Sequence, residues 1–593
     1  MAFTALAVVA PLFAACGSSG PNATGGAHAK GGTATIGVFS EGPNYVFPLL
    51  DAAHFYITNS AYLQNLLYRP LYWFGQGNSL AINYQLSVGK APVYSDGGKV
   101  VTISLNNYRW SDGTPVTARD IEFWENLVVA NKTSYGAYSP GGYPDNIAST
   151  KVIDSSTIQF TLTQAYNDDW FTDNELQLIS PIPQHAWDRT SANGPIGDYD
   201  KTTTGAVAVY KFLAAQASDL STYSTNPLWK VVDGPWVMSA YTPSNGSVSF
   251  VPNVGYSGPE KPHLAHFNEQ VFTTTASEYN ALRSGTGPTV GFGSTAVEMP
   301  RAELNRLGYK QVTSDLYQIS FAMFNYNNPT VGPLFKQPYV RRALQMLVNQ
   351  RGLIASYYGG HAVPTCGPIP LEPSSPYLDA HEKSCPNGYN PDEAASLLKA
   401  HGWNVVRGGI STCSDPGAGP GQCGAGIARG EQLKFNLIYG IGGIAYGKSI
   451  AQMKSDAEAA GVDYELKGES GQEESAAVVA CTPSQSACSW QIGESGWVYS
   501  PYPSGELFLE TGAGSNTSSY SDPRADQLIK SSIEPGNSME TLGAYEDYIA
   551  DQAPVLWQPV ADYVYEVSSK LGGASPPVNG AGAILPEEWY YTR

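Results

Sequence analysis

The sequence is poor in charged side chains, which make up 14% of its 593 residues, against roughly 25% in typical soluble domains. Basic residues are the scarcer sign, with 33 against 52 acidic residues and a formal net charge of −19. Because this charge repels phosphate backbones and no basic run offsets it, we expect no nucleic-acid partner. Beyond residue 15 the sequence also lacks an apolar run of the roughly 20 residues that a membrane-spanning helix needs.

Motifs that signal catalysis or metal binding are also missing. The sequence has no GxSxG elbow and no HExxH, which argues against two frequent kinds of active site. Its eight histidines are scattered, and neither they nor the cysteines show the spacing of zinc ligands. We therefore expect no enzymatic activity, no cofactor and no metal site. An acid/base pair assembled from distant segments stays open.

Six of the seven cysteines occur as sequence-near pairs: Cys366 with Cys385, Cys413 with Cys423, and Cys481 with Cys488. Six cysteines can pair in many ways, so local pairing is only a preference. Disulfides persist outside the reducing cytosol. The cysteines therefore indicate an exported protein.

The remaining cysteine, Cys16, follows a stretch without any charged residue, MAFTALAVVAPLFAA. Such a segment is too short to cross a bilayer as a stable helix, and it is typical of the core of a secretory signal that ends in small residues. We predict a signal peptide over residues 1–15 and a flexible tether over residues 16–32. The alternative is a piece of hydrophobic helix with an incidental thiol.

Strand and helix patterns interleave along the rest of the chain. Apolar and polar residues alternate in VVTIS (100–104) and TIQFTL (157–162), which predicts half-buried strands. Helically spaced apolar residues follow a capping residue at Thr117 and again at Asn390, where Pro391 occupies the first helical position. This interleaving predicts an α/β or α+β fold, and the length predicts two or three domains.

Aromatic residues gather among glycines and prolines in two segments. One is GESGWVYSPYPSGELF, which contains Trp497 and Tyr499, and the other is YGAYSPGGYPDNI, which contains Tyr135, Tyr138 and Tyr143. Aromatic rings in such loops are typical of pocket walls. The alternative is a buried strand with aromatic edges. If both segments line a pocket, they form opposite sides of one cleft.

Several phrases together carry a family resemblance: YRWSDGTPVTARDIEFWENLV, DGPWVMSAYTPSNGSVSFVPNVGY, FNYNNP with FKQPYVRRALQMLVNQRGLI, YNPDEAASLLKAHGW and YSDPRADQLI. In this order they resemble the solute-binding lipoproteins of peptide-type ABC importers, family 5 of the bacterial extracellular solute-binding proteins. The resemblance runs from about residue 33 to the C-terminus. It implies a two-lobed α/β fold of the periplasmic-binding-protein type (class II-like), with an extra domain inserted in the first lobe.

The resemblance also implies the extent of each part. Lobe I comprises residues 33–73, 230–312 and 555–593, the extra domain residues 74–229, and lobe II residues 313–554. The implied function is capture of a peptide or similar oligomeric solute between the lobes by hinge closure, followed by delivery to an ABC permease in the membrane. The implied protein is a monomer that leaves its ligand chemically unchanged.

The segment FAAC resembles a lipobox, in which Cys16 receives a diacylglyceryl group and becomes the mature N-terminus. Two features depart from the usual pattern: Phe13 stands where leucine is usual, and the signal lacks a basic beginning. Several acyl chains, at roughly 0.8 kcal/mol per buried methylene, anchor a protein stably. The resemblance thus implies an extracytoplasmic protein, on the outer face of the cell membrane or in the periplasm.

The resemblance raises a question about the ligand. In peptide-binding relatives, the strand similar to GWVYS carries a tryptophan and, three residues later, an aspartate that pairs with the free amine of the peptide. Trp497 matches the tryptophan, but Ser500 stands at or beside the aspartate position, and no acid occurs between Gly496 and Gly505. This loss removes a charge-assisted hydrogen bond of roughly 1.5–3 kcal/mol. A free peptide, a blocked peptide, an oligosaccharide and another neutral oligomer all stay open as ligands.

The candidate ligand-binding residues come from all three parts of the predicted fold. They are Tyr138 of the extra domain, Trp497, Tyr499 and Ser500 of lobe II, Asn44 and Tyr45 of lobe I, and Asn325 near a crossover between the lobes. For Asn325 a purely structural role is an equal alternative.

Two rival functions remain at this point. One is a secreted glycan-active enzyme with an aromatic cleft, which would need two carboxylates about 5–10 Å apart across that cleft. The other is a surface adhesin or signalling receptor that uses the same scaffold without transport.

Overall fold

The structure is a computed structural model that describes residues 30–39, 41–51, 53–77, 79–294, 299–441 and 444–592. The predicted signal peptide, Cys16 and most of the predicted tether lie outside the described residues. Within the described ranges, every helix is too short or too polar to cross a bilayer.

The strands of the described chain run in this order: β1 (Thr33–Phe39), β2 (Phe74–Gln76), β3 (Ser79–Ile82), β4 (Val93–Ser95), β5 (Val100–Ser104), β6 (Ile147–Asp154), β7 (Thr157–Leu162), β8 (Trp236–Thr242), β9 (Ser247–Pro252), β10 (His266–Phe272), β11 (Tyr309–Ser314), β12 (Gln318–Phe324), β13 (Ala362–Val363), β14 (Trp403–Asn404), β15 (Thr412–Cys413), β16 (Lys434–Gly440), β17 (Asp463–Glu469), β18 (Ile492–Val498), β19 (Val555–Gln558), β20 (Val560–Ala561), β21 (Tyr563–Ser568), β22 (Leu571–Gly572) and β23 (Tyr590–Tyr591).

The α-helices are α1 (Ile57–Asn59), α2 (Asn65–Leu67), α3 (Ala118–Asn131), α4 (Asp168–Trp170), α5 (Gln184–Trp187), α6 (Thr203–Ala217), α7 (Thr275–Ser284), α8 (Arg301–Leu307), α9 (Gly332–Phe335), α10 (Pro338–Gln345), α11 (Gln350–Tyr357), α12 (Ala380–Lys383), α13 (Pro391–Ala400), α14 (Ile444–Ala460), α15 (Gly471–Ala477), α16 (Pro523–Ile533) and α17 (Ser538–Gln552).

The largest sheets hold most of these strands. The first has the order β1-β10-β9-β8, with β1 parallel to β10 and the other pairs antiparallel. The second, β4-β5-β7-β6, is antiparallel throughout. The third has the order β17-β16-β18-β12-β19, with β16 parallel to both β17 and β18. This mixed helix and sheet architecture confirms the predicted α/β class.

Local sequence patterns explain several of these elements. In β7 the residues Ile158, Phe160 and Leu162 are buried while those between them are half-buried, as period-two alternation predicts. Helix α3 begins with a capping box in which Thr117 and Asp120 satisfy each other's backbone amides. Helix α13 begins at Pro391, and the side chain of Asn390 accepts a hydrogen bond from the amide of Glu393.

Two antiparallel segments join the first and third sheets. The chain passes from β11 into β12, and it returns from β19 to β21, with β11 paired antiparallel to β21. Val290 bridges Ile36 of β1 on one side and Val567 of β21 on the other, so this pair extends the first sheet. Strand β19 itself pairs with β12 in the third sheet. These crossing strands link two halves of the molecule: one half contains the first sheet, and the other, the third-sheet half, contains the third sheet. Together they form the two-lobed fold that the resemblance implied.

The structure joins the cysteines in the local pattern that their spacing favoured. Disulfides connect Cys366 to Cys385, Cys413 to Cys423, and Cys481 to Cys488. Each bridge closes a short loop of the third-sheet half of the molecule, where it restricts the unfolded chain and so stabilises the fold.

A buried ion pair ties the C-terminal segment to the first half of the chain. The guanidinium of Arg69 contacts the carboxylate of Glu587 and the hydroxyl of Tyr256, and the side chains of the ion pair are fully buried. Arg69 also lies against the ring of Trp73, with 4.5 Å between its guanidinium carbon and the ring centroid. Through this pair, the position of the aromatic segment 71–74 depends on the C-terminal residues.

Candidate functional site

A cavity of about 250 Å³ lies where distant parts of the chain meet. Its walls come from residues 48–74, 124–180, 499–501 and 581–583. An engineered cavity of about 150 Å³ holds one benzene molecule, so this one has room for roughly ten non-hydrogen atoms. Its aromatic lining residues are Phe55, Tyr72, Trp73, Phe74, Trp124, Tyr135 and Tyr499.

The polar side chains of the lining are all neutral. They are Ser60, Gln64, Asn65, Gln177 and Ser180, beside the hydroxyls of the tyrosines. Among the described residues, no Asp, Glu, Lys, Arg or His lines the cavity. Since burying an unpaired charge is costly, the cavity favours an uncharged ligand or the uncharged part of a ligand.

Hydrogen bonds within the first half of the chain hold the wall that contains Gln64. The side-chain oxygen of Asn59 accepts from the amides of Asn44, at 2.8 Å, and Tyr45, at 3.0 Å. The side-chain nitrogen of Gln64 donates to the carbonyl oxygen of Tyr45 at 2.8 Å. The Tyr45 ring is buried and stacks on His54 with centroids 4.1 Å apart. The structure therefore places Asn44 and Tyr45 in the framework behind this wall.

The aromatic wall formed by residues 72–74 is fixed from behind. The hydroxyl of Tyr72 donates to the carbonyl oxygen of Lys90 at 2.9 Å, and the indole nitrogen of Trp73 donates to that of Gly75 at 3.1 Å. The turn at residues 579–583 contributes Ala581 and Ala583 to the lining, and the side chain of Asn579 holds this turn by accepting hydrogen bonds from both of their amides. Tyr72 and Trp73 are almost fully buried, so these bonds hold their side chains in a fixed position within the wall.

The second wall is built by α3 and the loop after it. Trp124 and Tyr135 meet edge to face with centroids 6.2 Å apart. The indole nitrogen of Trp124 donates to Tyr143 at 3.2 Å, and Tyr143 in turn donates to the carboxylate of Glu125. Burial raises the pKa of Glu125 to about 7. Glu125 is therefore hydrogen-bonded within the protein, and it is absent from the cavity lining.

Tyr138, the residue predicted from this loop, lies outside the lining residues. Its hydroxyl donates to Asp145 at 2.8 Å, and the ammonium of Lys132 lies 5.4 Å from its ring centroid. The neighbouring Tyr135 of the same aromatic segment lines the cavity instead.

The third wall comes from the end of β18 and the residues after it. Tyr499 lines the cavity, and its ring centroid lies 5.9 Å from that of Tyr317. Trp497 stacks on Phe508 at 5.1 Å and supports this wall from the side. Ser500 accepts a hydrogen bond from Gln177, which itself lines the cavity. The structure thus brings Tyr499 to the cavity and Ser500 to its edge.

Hydrogen bonds beside the cavity connect the helical segment 167–177 to the third-sheet half. The side-chain nitrogen of Asn174 donates to the Tyr502 carbonyl oxygen and the Ser504 hydroxyl, both at 3.1 Å. The Trp170 indole donates to Glu506 at 2.9 Å. These contacts span the boundary between the two halves, so the described conformation is one in which the halves touch.

Asp173 belongs to the same segment and is partly buried at this contact. Burial, with the nearby charge of Asp169, raises the pKa of Asp173 to about 7. A proton on Asp173 is therefore favoured in the described state more than on a fully solvated aspartate.

Asn325 lies within the third-sheet half and is fully buried. Its side-chain nitrogen donates to the carbonyl oxygen of Trp490 at 2.9 Å, next to the Cys481–Cys488 disulfide. This placement shows a structural contact, and a ligand contact for Asn325 stays a prediction.

An acidic cluster away from the cavity has a cationic partner in the protein. Carboxylate oxygens of Asp188, Asp198 and Asp200 lie within 4.8 Å of one another. The guanidinium of Arg119 forms ion pairs with all of them, the closest with Asp200. Arg119 thus supplies the positive charge that these carboxylates need.

Comparison with known proteins assigns the chain to a family. The family model described as "Bacterial extracellular solute-binding proteins, family 5 Middle" matches residues 84–520. The chain belongs to this family. Family 5 is a family of solute-binding proteins, which are not enzymes. Membership of this family agrees with the predicted absence of catalysis.

Relatives of this family-5 protein match it at low identity over part of their length. It is 23% identical to protein XP55 of Streptomyces lividans over 78% of the chain and 72% of the relative. It is 25% identical to the oligopeptide-binding protein OppA of Lactococcus lactis over 73% of the chain and 68% of the relative. It spans about half the length of several Brucella ABC transporter peptide-binding proteins.

Solved structures with the same fold include proteins described by different ligands. The oligopeptide-binding protein AppA of Bacillus subtilis, in complex with a nonapeptide, matches with a TM-score of 0.64, 17% identity and coverage of 95% of this chain and 100% of that one. The periplasmic EDTA-binding protein EppA matches with a TM-score of 0.72, 14% identity and coverage of 95% and 97%. At these identities the likeness establishes the two-lobed fold.

Most aromatic residues that line the cavity were not predicted from the sequence as ligand-binding residues. Trp124 has the helical spacing of a core residue, and segment 72–74 reads as an ordinary apolar run at the end of LYRPLYWFG. The only available signal was the density of aromatic residues in that phrase. Gln177 carries no sequence signal at all, since one neutral amide in a helical segment is typical of a surface.

Proposed function

We propose that this family-5 protein is the extracytoplasmic receptor of an ABC importer, which encloses a solute in the cavity and delivers it unchanged to a membrane permease. The observation that carries the proposal is the composition of the cavity walls. Residues of segments 48–74, 124–180 and 499–501, which come from both halves of the fold, line one space, and hydrogen bonds beside it hold the halves together. A solute that touches all walls stabilises the closed state over the open one.

Closure depends on contacts that exist only when the halves meet. Tyr499 and Pro501 contribute to the cavity from one half, while Tyr135 and Gln177 contribute from the other. In the open state, a ligand would touch only one of these sets. The difference in contact free energy between the two states is the driving force for hinge closure.

The proposed ligand is a peptide or another oligomeric solute that needs no charged group inside the cavity. This follows from the neutral lining and from Ser500, whose hydroxyl already accepts from Gln177. The nonapeptide of AppA and the EDTA of EppA are ligands of those proteins; they support the use of one fold for chemically different solutes.

The protein is proposed to act as a monomer, attached to the outer face of the membrane through lipid on Cys16. The support for the anchor is the FAAC segment after an uncharged apolar stretch. The mass of the intact mature protein, extracted with detergent, tests this part: a mature N-terminus at Cys16 that carries acyl chains is expected. A mature chain without acyl mass refutes the anchor and leaves the receptor proposal untouched.

The decisive test combines identification of the retained ligand with the shape of the protein. The protein is purified gently from its native host, and native mass spectrometry identifies the molecule that stays bound. Small-angle scattering then compares the ligand-free and reloaded protein. A smaller radius of gyration on loading and an unchanged ligand mass are expected. A radius that does not change, or a ligand recovered cleaved, contradicts the proposal, and cleavage would favour the glycan-active enzyme.

A further inference from the structure

The neutral cavity narrows the ligand class beyond the family's general role. Resting on the proposed receptor function, we infer that the cavity binds one pyranose ring of an uncharged saccharide. The inference combines three observations: a lining without charge, neutral side chains of the lining without a hydrogen-bond partner in the protein, and exposed aromatic surface in a space of limited size.

The first observation excludes charged groups from the enclosed space. Among the described residues the lining holds no acid and no base. An ammonium or carboxylate enclosed here would lose its hydration without gaining an ionic partner, which costs several kcal/mol per ion in proteins. The buried acids Glu125 and Glu175 already accept hydrogen bonds from Tyr143 and Asn146. The free termini of a short peptide are therefore poor occupants.

The second observation is a set of polar groups that need a partner from the ligand. Within the described chain, the side chains of Asn65 and Ser180 and the hydroxyl of Tyr135 form no hydrogen bond to the protein. They lie on different walls of the same cavity. A purely hydrocarbon ligand would exclude water from these groups and leave them unpaired, which is unfavourable. An occupant with several hydroxyl groups around its edge satisfies them.

The third observation is the combination of exposed aromatic surface with the size of the space. Phe55 lines the cavity and is half-exposed, and a pyranose ring has apolar C–H faces that pack on such surface by dispersion. The cavity volume of about 250 Å³ fits roughly ten non-hydrogen atoms on the scale of the benzene cavity. One pyranose unit has about this size, so a longer saccharide would place a single ring here.

The test is calorimetric titration of the purified protein with named probes. Cellobiose, maltose and lactose represent neutral pyranosides. Glucuronic acid is a pyranose that carries a carboxylate, and trialanine represents the unmodified peptides. We expect at least one neutral disaccharide to bind, and glucuronic acid and trialanine to bind more than about tenfold more weakly, because each would bring an unpaired charge into the cavity.

A conservative variant checks that binding occurs in this cavity. Tyr135→Phe keeps the ring and removes the free hydroxyl, so the affinity for the bound disaccharide should fall about three- to tenfold, as for one neutral hydrogen bond. Tyr389→Phe, at an exposed tyrosine outside the cavity lining, is the matched control and should leave the affinity unchanged. Equal affinity in the wild type and in Tyr135→Phe overturns the inference.

The outcomes separate this inference from the receptor function. Failure of every neutral saccharide at millimolar concentration overturns the inference, and binding of trialanine in that case leaves the receptor function standing. Glucuronic acid that binds as tightly as the neutral sugars overturns it as well. A disaccharide that binds but is recovered hydrolysed, or that leaves the radius of gyration unchanged, contradicts the receptor function while the ligand class holds.

Discussion

Replacing Ser500 by aspartate tests why this cleft should disfavour free peptides. Ser500 lies at the cavity edge and accepts a hydrogen bond from Gln177. In Ser500→Asp, one carboxylate oxygen can keep that bond, and the other is available to the ammonium of a peptide. The variant therefore supplies the acid that the sequence lacks between Gly496 and Gly505.

The size of the effect follows from the bond that is gained. A hydrogen bond to a charged group contributes roughly 1.5–3 kcal/mol, which corresponds to an increase in affinity of about 10- to 150-fold. Part of this gain is offset because the neutral surroundings disfavour the charged form and raise the pKa of the introduced carboxyl group. We therefore expect a gain near the lower end of the range at neutral pH.

The assay is calorimetry with trialanine and its N-acetylated form, on the wild type, Ser500→Asp and the uncharged control Ser500→Asn. Only the pair of Ser500→Asp with unmodified trialanine should gain affinity, since the acetyl group removes the ammonium. Equal gains for both peptides would refute the charge argument, because they would report a change of shape. No gain for either peptide would show that residue 500 is not where a peptide amine comes to lie.

Three further predictions concern closure and stability. In Asn174→Ala, two hydrogen bonds between the halves are lost. At roughly 0.5–1.5 kcal/mol per bond, the affinity for the co-purified ligand should fall about 5- to 150-fold. Unchanged affinity in calorimetry would show that these bonds do not support closure. The pKa of Asp173 is raised from 3.8 to about 7 in the described state. This state therefore binds more protons than one in which Asp173 is fully solvated, and it should lose stability relative to that state as the pH rises between these values. Ligand affinity measured across this window should therefore fall with rising pH, and Asp173→Asn should flatten the dependence; a steeper profile in the variant would contradict the assignment. Glu587→Gln leaves the buried Arg69 charge without its ionic partner and should destabilise the fold by about 3–5 kcal/mol, seen as a lower midpoint in thermal unfolding, and a midpoint equal to the wild type would show that the pair is dispensable.

Local structure was largely predictable because it depends on neighbouring residues. The alternation in TIQFTL and the capping residues Thr117 and Asn390 produce the expected strand and helices. The local cysteine pairs also form as their spacing favoured. In each case the interacting groups lie within one element or one short loop, so the sequence contains the whole interaction.

The candidate site was only partly predictable. Tyr499 and Tyr135 belong to aromatic segments that the sequence analysis singled out, and both line the cavity. Trp124 and Trp73 looked like core residues, because a hydrophobic pattern reports that a side chain is buried but not what it is buried against. Tyr138 and Asn325 contact Asp145 and Trp490 instead of the lining, and their use in ligand binding stays a prediction.

The amino-acid sequence alone indicated the family through its characteristic phrases, and its paired cysteines indicated export. The low charge and the absence of an acid after Trp497 were also evident from the sequence. Only the tertiary structure decided which residues form one cavity and that none of them is charged. The physical reason is distance along the chain. The walls come from segments near residues 50, 70, 130, 177, 500 and 582, and side chains so far apart in sequence meet only through the packing of whole sheets and helices.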